Sequence, residues 1–591
     1  LTEYLPSLAD LRALFGCAIA ATAMVWGGRL LAGRRAAPEV ALLAGWGALC
    51  VVLTLWAAVL PFPLYLPMAA CFLAALIGCR TQGQVDGGIW KVALLTLPLW
   101  LVMLAARPSQ VDTWLNLLPN QAFLVDHAIL PSDAGVAHNS FLPAAPYNMQ
   151  FAAFAASLVA GGLSPNAMGL FNILLLSAAG LKLARVAAGR DGLDDPLPLP
   201  WWAIGAGLLL AVPLNAGFVP RVFLSAYGEA SLAVTAMFAV SLSADLLLAE
   251  RRGASSRGVL AALSLVLAAM VNIKQSSPGI LLPLAACLLA LGLACPGMRR
   301  LRWCGVVATG FLPALLLYGV WRWFVLRHFA AGELKMLPMA AWQWPILPDI
   351  LRAIGRAAIE KPAYFAVLAV LLVGAVLEAR RRPWTRAAIV LAVGAALVVL
   401  FNGFLVLTYV GHFPQNWALH AHSYFRYMSQ LSLVAILGLV HWLRAPAMLW
   451  LTRCGKRLRR RLAGGAIALI VVLPLALAPI LRFDLAAPQP WLWTLAHRAA
   501  ALLHGHDRVA LLVPGDVDDA AGSMLRGSLL FTAPRRPDLS FRTELTADAA
   551  SLADARTFGA TRALVTCSGA AGLAGLPPNA AGLLGLQDGI W

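Results

Sequence analysis

The sequence predicts an α-helical polytopic membrane protein: a bundle of about 12–14 transmembrane helices followed by a small extracytoplasmic α/β domain. Of its 591 residues, 61% are hydrophobic and 12% charged, against about 25% charged in soluble globular domains. Apolar runs long enough to cross a hydrocarbon core of about 30 Å recur along nearly the whole chain. The basic residues gather in short clusters between alternate runs, as they do in cytoplasmic loops.

In order, the runs cover residues 11–30, 39–60, 64–79, 90–106, 165–187, 200–219, 230–249, 256–273, 278–295, 303–325, 362–379, 386–410, 429–446 and 463–481. Runs 64–79 and 90–106 are short, and the pair separated at Lys274 also reads as one broken hairpin, which sets the lower count. The first run is followed by Arg29, Arg34 and Arg35 without a cleavage pattern, so it is expected to be a retained span.

The clusters Lys182/Arg185/Arg190, Arg251/Arg252/Arg257, Arg299/Arg300/Arg302, Arg380/Arg381/Arg382/Arg386 and Arg453/Lys456/Arg457/Arg459/Arg460/Arg461 fall on the same side as Arg29. That side is read as cytoplasmic. The other side receives segments 107–164, 220–229, 274–277, 326–361 and 411–428. The expected organisation is a transmembrane domain over 1–482, with outer loops 107–164 and 326–361, and an extracytoplasmic domain over 483–591. In that domain "HDRVALLVPGD" (506–516) and "ATRALVTCSG" (560–569) read as buried strands ending in turns.

The net charge of +18 does not indicate nucleic acid, because the basic residues separate apolar runs and do not line one polar face. Eight of the nine cysteines, Cys17, Cys50, Cys71, Cys79, Cys287, Cys295, Cys304 and Cys454, lie in or beside apolar runs, and Cys567 lies in the polar tail. No disulfide is expected there. There is no repeat of fixed period.

Nearly every unusual polar residue outside the basic clusters falls on the outer side. In the first outer loop, "VDTWLNLLPNQAFLVDH" carries Asp112 and Trp114, and "AHNSFLPAAPYNMQF" follows. Asp112 beside the membrane is a candidate general base; as an alternative it caps the helix beginning "TWLNLL". "VPRVFLSAYGEASL" brings Arg221, Tyr227 and Glu229 to the mouth of a span. Ionisable groups there mark function, unless Arg221 simply pairs with Glu229 or Glu229 favourably starts the following helix.

"NIKQSSPG" holds Lys274 and Gln275 where the positive-inside rule disfavours lysine, so Lys274 reads as a phosphate partner or as a snorkelling chain. "GHFPQNWALHAHSYFRYMSQ" supplies His412, His420, His422, Tyr424, Arg426 and Tyr427. His420 and His422 lack a zinc-site spacing, whereas an arginine between two tyrosines suits an anion, the guanidinium offering a bidentate fork.

The order of "VDTWLNLLP", "HNSFLPAAPYNMQF", "YGE", "KQ" and "SYFRY" resembles the polytopic GT-C glycosyltransferases over roughly residues 90–445. Three features depart from the family pattern: Asp112 lacks a second adjacent acid, Ser276 and Ser277 stand where many members have Glu-Gly, and four spans precede the Asp112 loop. The resemblance implies a GT-C-like bundle transferring sugar from a polyprenyl-phosphate carrier to a glycan, lipid or protein acceptor.

The resemblance further implies Asp112 as the base for the acceptor hydroxyl and Lys274 and Arg426 as holders of the departing phosphate. Glu229 or Tyr227 would orient the sugar or acceptor, with Trp114, Arg221, Gln275, His422, Tyr424 and Tyr427 completing the binding residues. No cofactor is required; a divalent cation between Asp112 and Glu229 is possible, as is calcium at "PGDVDD" (514–519).

The expected location is a bacterial inner membrane, among membrane lipids, with the site facing outward. Two alternatives stay open: an O-antigen ligase or polymerase type enzyme, with His412, His420, His422 and Arg426 central, and a lipid-linked sugar transporter, for which the absence of internal repeats is unfavourable.

Overall fold

The computed structural model describes residues 4–81, 88–192, 198–330, 336–513, 520–531, 539–544, 546 and 549–565. The first part runs α1 (Leu8–Ala32), α2 (Pro38–Val59), α3 (Tyr65–Thr81), α4 (Ile89–Leu104), a π-helical turn (Thr113–Leu117), α5 (Leu118–His127) and α6 (Asn148–Ala160). Next come α7 (Ala167–Ala188), α8 (Trp201–Ala211), α9 (Pro220–Phe223), α10 (Glu229–Arg251), α11 (Arg257–Val271), α12 (Pro278–Ala294) and α13 (Arg300–His328). Then follow α14 (Leu347–Glu360), α15 (Pro362–Arg381), α16 (Arg386–Gly411), α17 (Gln415–Leu419), α18 (Tyr424–Met428), α19 (Ser432–Arg453), α20 (Lys456–Ala476) and α21 (Ala478–Leu481). The remainder is α22 (Gln489–Ala500), β1 (Arg508–Leu512), α23 (Ala520–Phe531), β2 (Ser540–Glu544), α24 (Ala549–Thr557) and β3 (Arg562–Val565).

Eight helices among the described residues are long and apolar enough to cross a membrane: α1, α2, α7, α10, α13, α15, α16 and the stretch Tyr424–Arg453. The chain is a multi-pass membrane protein. α10 lies at the centre, buried on every side from Glu229 to Leu248, as an all-round apolar helix requires. Elsewhere in the bundle small residues let helices approach closely. A Cβ on Gly45 of α2 would stand 1.8 Å from the Met24 carbonyl oxygen of α1, and one on Gly47 1.8 Å from that of Leu265 in α11. Apolar side chains such as Leu312, Leu315 and Leu316 of α13 and Val370, Val373 and Val376 of α15 face outward, where acyl chains take the place of a protein partner.

At the end carrying the basic clusters, opposite charges tie helices together. Arg185 of α7 meets Glu39 of α2 at 2.6 Å, both nearly inaccessible. Arg386 of α16 binds both Asp191 and Asp245. In the sequence Arg185 and Arg386 read as topology signals only, and nothing there marks Glu39, Asp191 or Asp245 as their partners.

Two helical expectations are corrected. The run expected at 200–219 is helical only to Ala211: Pro213 and Gly217 interrupt it, and Asn215 donates to Ser432 Oγ at 3.1 Å instead. The outer loop 107–164 also contains α6, which packs into the bundle through Gly16 of α1, whose added Cβ would lie 2.2 Å from the Ala156 carbonyl oxygen. At 13 residues α6 is too short to cross a bilayer, so a search for spanning runs passes over it.

Beyond α21, three parallel strands form a sheet in the order β2-β1-β3, with Val509 opposite Phe541 and Arg562. β1 is buried from Val509 to Leu512, as a parallel strand covered on both faces must be. β1 and β3 lie within the two predicted strand segments, while β2 was not anticipated. Cys567 and the acidic turn 514–519 lie outside the described residues.

Candidate active site

Four segments far apart in sequence meet at the end of the bundle opposite the basic clusters. Asp112 precedes the π-helical turn, whose Thr113 and Trp114 N–H groups donate to the Gln110 carbonyl at 3.0 and 3.2 Å. Its side chain makes no capping bond, so the capping alternative is set aside. It meets Arg426 of α18, 314 residues later, with Nη1 to Oδ2 at 3.0 Å. Arg426 Nε approaches Glu229 Oε1 at 3.0 Å, an ionic contact without hydrogen-bond direction. The same oxygen accepts from Lys274 Nζ at 2.6 Å. Asp112, Arg426, Glu229 and Lys274 thus form a continuous chain of alternating charge.

Tyrosines flank the cations. The Arg426 guanidinium lies over the Tyr227 ring at 4.8 Å and the Tyr427 ring at 5.6 Å, and Lys274 Nζ lies 5.5 Å from the Tyr427 ring, distances at which the ring face attracts a cation. Burial pushes the Tyr227 phenol well above the ordinary tyrosine value, with Asp112 adding to the shift, so it remains a hydrogen-bond donor. Burial pulls the proton affinity of Lys274 below that of a free lysine, while Glu229 opposes the shift.

Exposure divides the labour. The Asp112 side chain is 40% accessible, Arg426 and Lys274 are 22% each, and Glu229 is closed to solvent. Glu229 or Tyr227 is expected to orient sugar or acceptor; the Glu229 carboxylate sits behind the two cations and contacts both. Asp112, Arg426 and Lys274 present the accessible charge.

Two buried amides of the bundle shape this end. Asn172 of α7 donates to the carbonyls of Ser225 and Tyr227 at 2.7 and 2.8 Å and accepts from Ser231 Oγ at 2.5 Å, fixing the turn that presents Tyr227 and starts α10. Asn148 of α6 donates to the carbonyls of Ala268 and Ala269 at 3.0 and 2.8 Å, and its backbone N–H donates to the Asn272 carbonyl at 3.1 Å, anchoring the turn with Lys274. Sequence reasoning missed both as positioning residues. Their signal was an amide in an apolar stretch, alone in "LFNILLL" and followed by Gln150 in "PYNMQF".

Before α18, Ala421 and Ser423 both have positive φ, 44° and 62°. Side chains rarely accept this region, and it costs about 1–3 kcal/mol at each position. It carries the chain directly into the turn bearing Arg426.

Several expected residues stand apart from the chain of charges. Arg221 is exposed on α9, and Glu229 pairs with Lys274 and Arg426 in its place. Tyr424 donates into the bundle to Asn402 of α16. His422 is exposed, with its ring 4.7 Å from that of Trp417, and His420 Nδ1 contacts the Asn416 carbonyl at 2.8 Å. Gln275 is half-buried beside Lys274. Trp114, expected against substrate, is 3% exposed and packs in an apolar cluster with α22 and α23. Among the described residues no three His, Cys, Asp or Glu side chains gather as metal ligands, and Asp112 and Glu229 both direct an oxygen at Arg426.

No protein-family model and no curated protein matches this chain. Among solved structures it is similar to ArnT from Cupriavidus metallidurans, whose crystal structure is bound to undecaprenyl phosphate. Identity is 14%, the match covers 79% of this chain and 87% of that one, and the TM-score is 0.44. A likeness of that size assigns neither residue roles nor a substrate.

Proposed function

We propose that the chain is a GT-C type glycosyltransferase of a bacterial inner membrane. It takes a sugar from a polyprenyl-phosphate carrier and passes it to a hydroxyl of a glycan, lipid or protein acceptor on the extracytoplasmic face. The observation that carries the reading is the chain of charges from Asp112 through Arg426 and Glu229 to Lys274. It lies at the end opposite the basic clusters, which the positive-inside rule assigns to the exterior.

Arg426 and Lys274 share one counter-charge, leaving the accessible side of the pair to receive a phosphate. A phosphate taken up by Arg426 replaces the Asp112 carboxylate as its partner and frees Asp112 to accept a proton. The acceptor oxygen then attacks the anomeric carbon as Asp112 removes its proton. The bond from that carbon to the phosphate oxygen breaks, and its electron pair stays on the phosphate. The growing negative charge falls between two cations already in place, so little reorganisation is needed at the moment of transfer. Glu229 keeps those cations from separating, and the Tyr227 hydroxyl donates to substrate oxygen.

The test is transfer of radiolabelled sugar from a panel of polyprenyl-phosphate sugars by purified protein in nanodiscs, comparing wild type with Asp112→Asn. Transfer by wild type that is lost in the variant supports the reading. Transfer of an intact lipid-linked oligosaccharide, with no monosaccharide donor consumed, sinks it in favour of a ligase.

A further inference from the structure

The segment carrying Asp112 is held at four places by residues from beyond α21. At its root, the buried Arg482 donates to the Ala105 carbonyl at 3.2 Å and is itself fixed by Asp484 at 2.8 and 2.9 Å. The Arg107 backbone N–H donates to Asp484 Oδ2 at 3.1 Å, and its guanidinium lies 4.6 Å from the Trp493 ring. Farther along, Arg526 of α23 donates to the Asn139 carbonyl at 3.0 Å.

Between these points, Trp114 enters a cluster formed with Leu492, Leu495, Leu525 and Leu529. Its ring lies so close over Gly527 that a Cβ there would be 2.1 Å from ring atom Cε3 and 2.6 Å from Cδ2. Only glycine admits the ring in this position.

Trp114 is two residues from Asp112, in a turn closed by bonds to the Gln110 carbonyl, so the ring and the carboxylate belong to one short rigid piece of backbone. A five-residue π-helical turn follows Asp112, a conformation common at functional sites. Even the Cβ of alanine at 527 requires the ring to retreat from 2.1 Å to the 3.4 Å of ordinary contact, a shift of about 1.3 Å. Displacement of a reacting group by about 1 Å costs roughly 100-fold in rate.

We propose that the C-terminal α/β unit is a positioning element for the reaction: the size-matched contact of Trp114 with Gly527 sets where the Asp112 carboxylate stands relative to Arg426. This rests on the reading of Asp112 as the base. Trp114 and Gly527 are positioning residues and touch no substrate.

The test uses the full chain in nanodiscs with Gly527→Ala, Trp114→Leu and the two combined. Gly527→Ala should lower kcat about 100-fold while the KM for the lipid donor stays within about twofold, because Arg426 and Lys274 lie on other elements. Trp114→Leu alone should also lower kcat. Combining them removes the clash and should recover at least about tenfold in kcat over Gly527→Ala.

Wild-type kcat in folded Gly527→Ala protein, or no recovery in the combined variant, overturns the proposal. If Gly527→Ala fails to fold, Arg526→Ala replaces it: a several-fold fall in kcat at constant KM supports the proposal, and unchanged kcat overturns it. Should wild type transfer no sugar, the catalytic reading fails. Backbone hydrogen exchange across 110–127 then decides the brace: faster exchange in Gly527→Ala than in wild type supports it, and identical exchange refutes it.

Discussion

Glu229→Gln removes one charge and almost no volume from the centre of the site. Glu229 is closed to solvent and lies 2.6 Å from Lys274 and 3.0 Å from Arg426. Glutamine keeps an acceptor oxygen for Lys274 but leaves two neighbouring half-buried cations with only Asp112 as counter-charge. Breaking a buried ion pair by neutralising one partner costs about 3–5 kcal/mol, which should be visible as a lower midpoint in chemical unfolding in detergent.

The variant should also acquire two opposite pH dependences through Lys274. Burial already holds its proton affinity below the ordinary 10.5, and Glu229 is the largest opposing influence. Without Glu229 the native value falls further, while the unfolded chain still binds its proton up to about 10.5. Between the depressed native value and the unfolded one, the unfolded state carries more protons, so stability rises with pH across that window. If the chain takes a polyprenyl-phosphate donor as proposed, binding of that lipid needs the charged lysine and should weaken over the same window. The assay is donor-lipid affinity and unfolding midpoint at neutral and alkaline pH. A Glu229→Gln protein as stable as wild type, with equal lipid affinity at both pH values, would refute the role given to the shared carboxylate.

Asp112→Asn should lower kcat about 10²–10⁴-fold, the usual contribution of a general base, with lipid affinity retained; near-normal turnover by folded variant protein would remove Asp112 from the mechanism. Arg426→Ala should weaken binding of the proposed polyprenyl-phosphate donor at least about tenfold, the loss of one charge-assisted contact, as measured by titration in nanodiscs, and equal affinity would contradict the clamp. Arg386→Ala, at the opposite end, leaves Asp191 and Asp245 without their common cation. It should lower stability by about 3–5 kcal/mol in an unfolding titration without changing lipid affinity, and a matching loss of affinity would show that the two ends are coupled.

The helical membrane architecture was legible because apolar runs of bilayer length have one common explanation, and α7, α10 and α16 follow those runs closely. Asp112, Tyr227, Glu229, Lys274, Arg426 and Tyr427 could be singled out because a polar group in so apolar a chain is costly unless it has a use. Which of them would touch could not be read: Asp112 and Arg426 are 314 residues apart.

The packing of Trp114 is hidden for a related reason. Its proximity to Asp112 in sequence suggested substrate contact, whereas its ring packs against Gly527, a residue with no side chain to advertise the contact. Arg386 read as a topology signal because its partners, Asp191 and Asp245, belong to separate segments. α6 was hidden by its length, which satisfies neither a bilayer crossing nor an ordinary loop.

The separation of the paired charges also bears on how the molecule is made. Asp112 leaves the ribosome 314 residues before Arg426. At the usual 5–20 residues per second that is roughly a quarter of a minute to a minute. During synthesis Glu229 likewise precedes both of its cations. Glu229 gains Lys274 as a partner within 45 residues, whereas Asp112 passes through the insertion machinery with its partner still unmade. The site closes only once α18 arrives, so products truncated before it carry Asp112, Glu229 and Lys274 without the arginine that joins them.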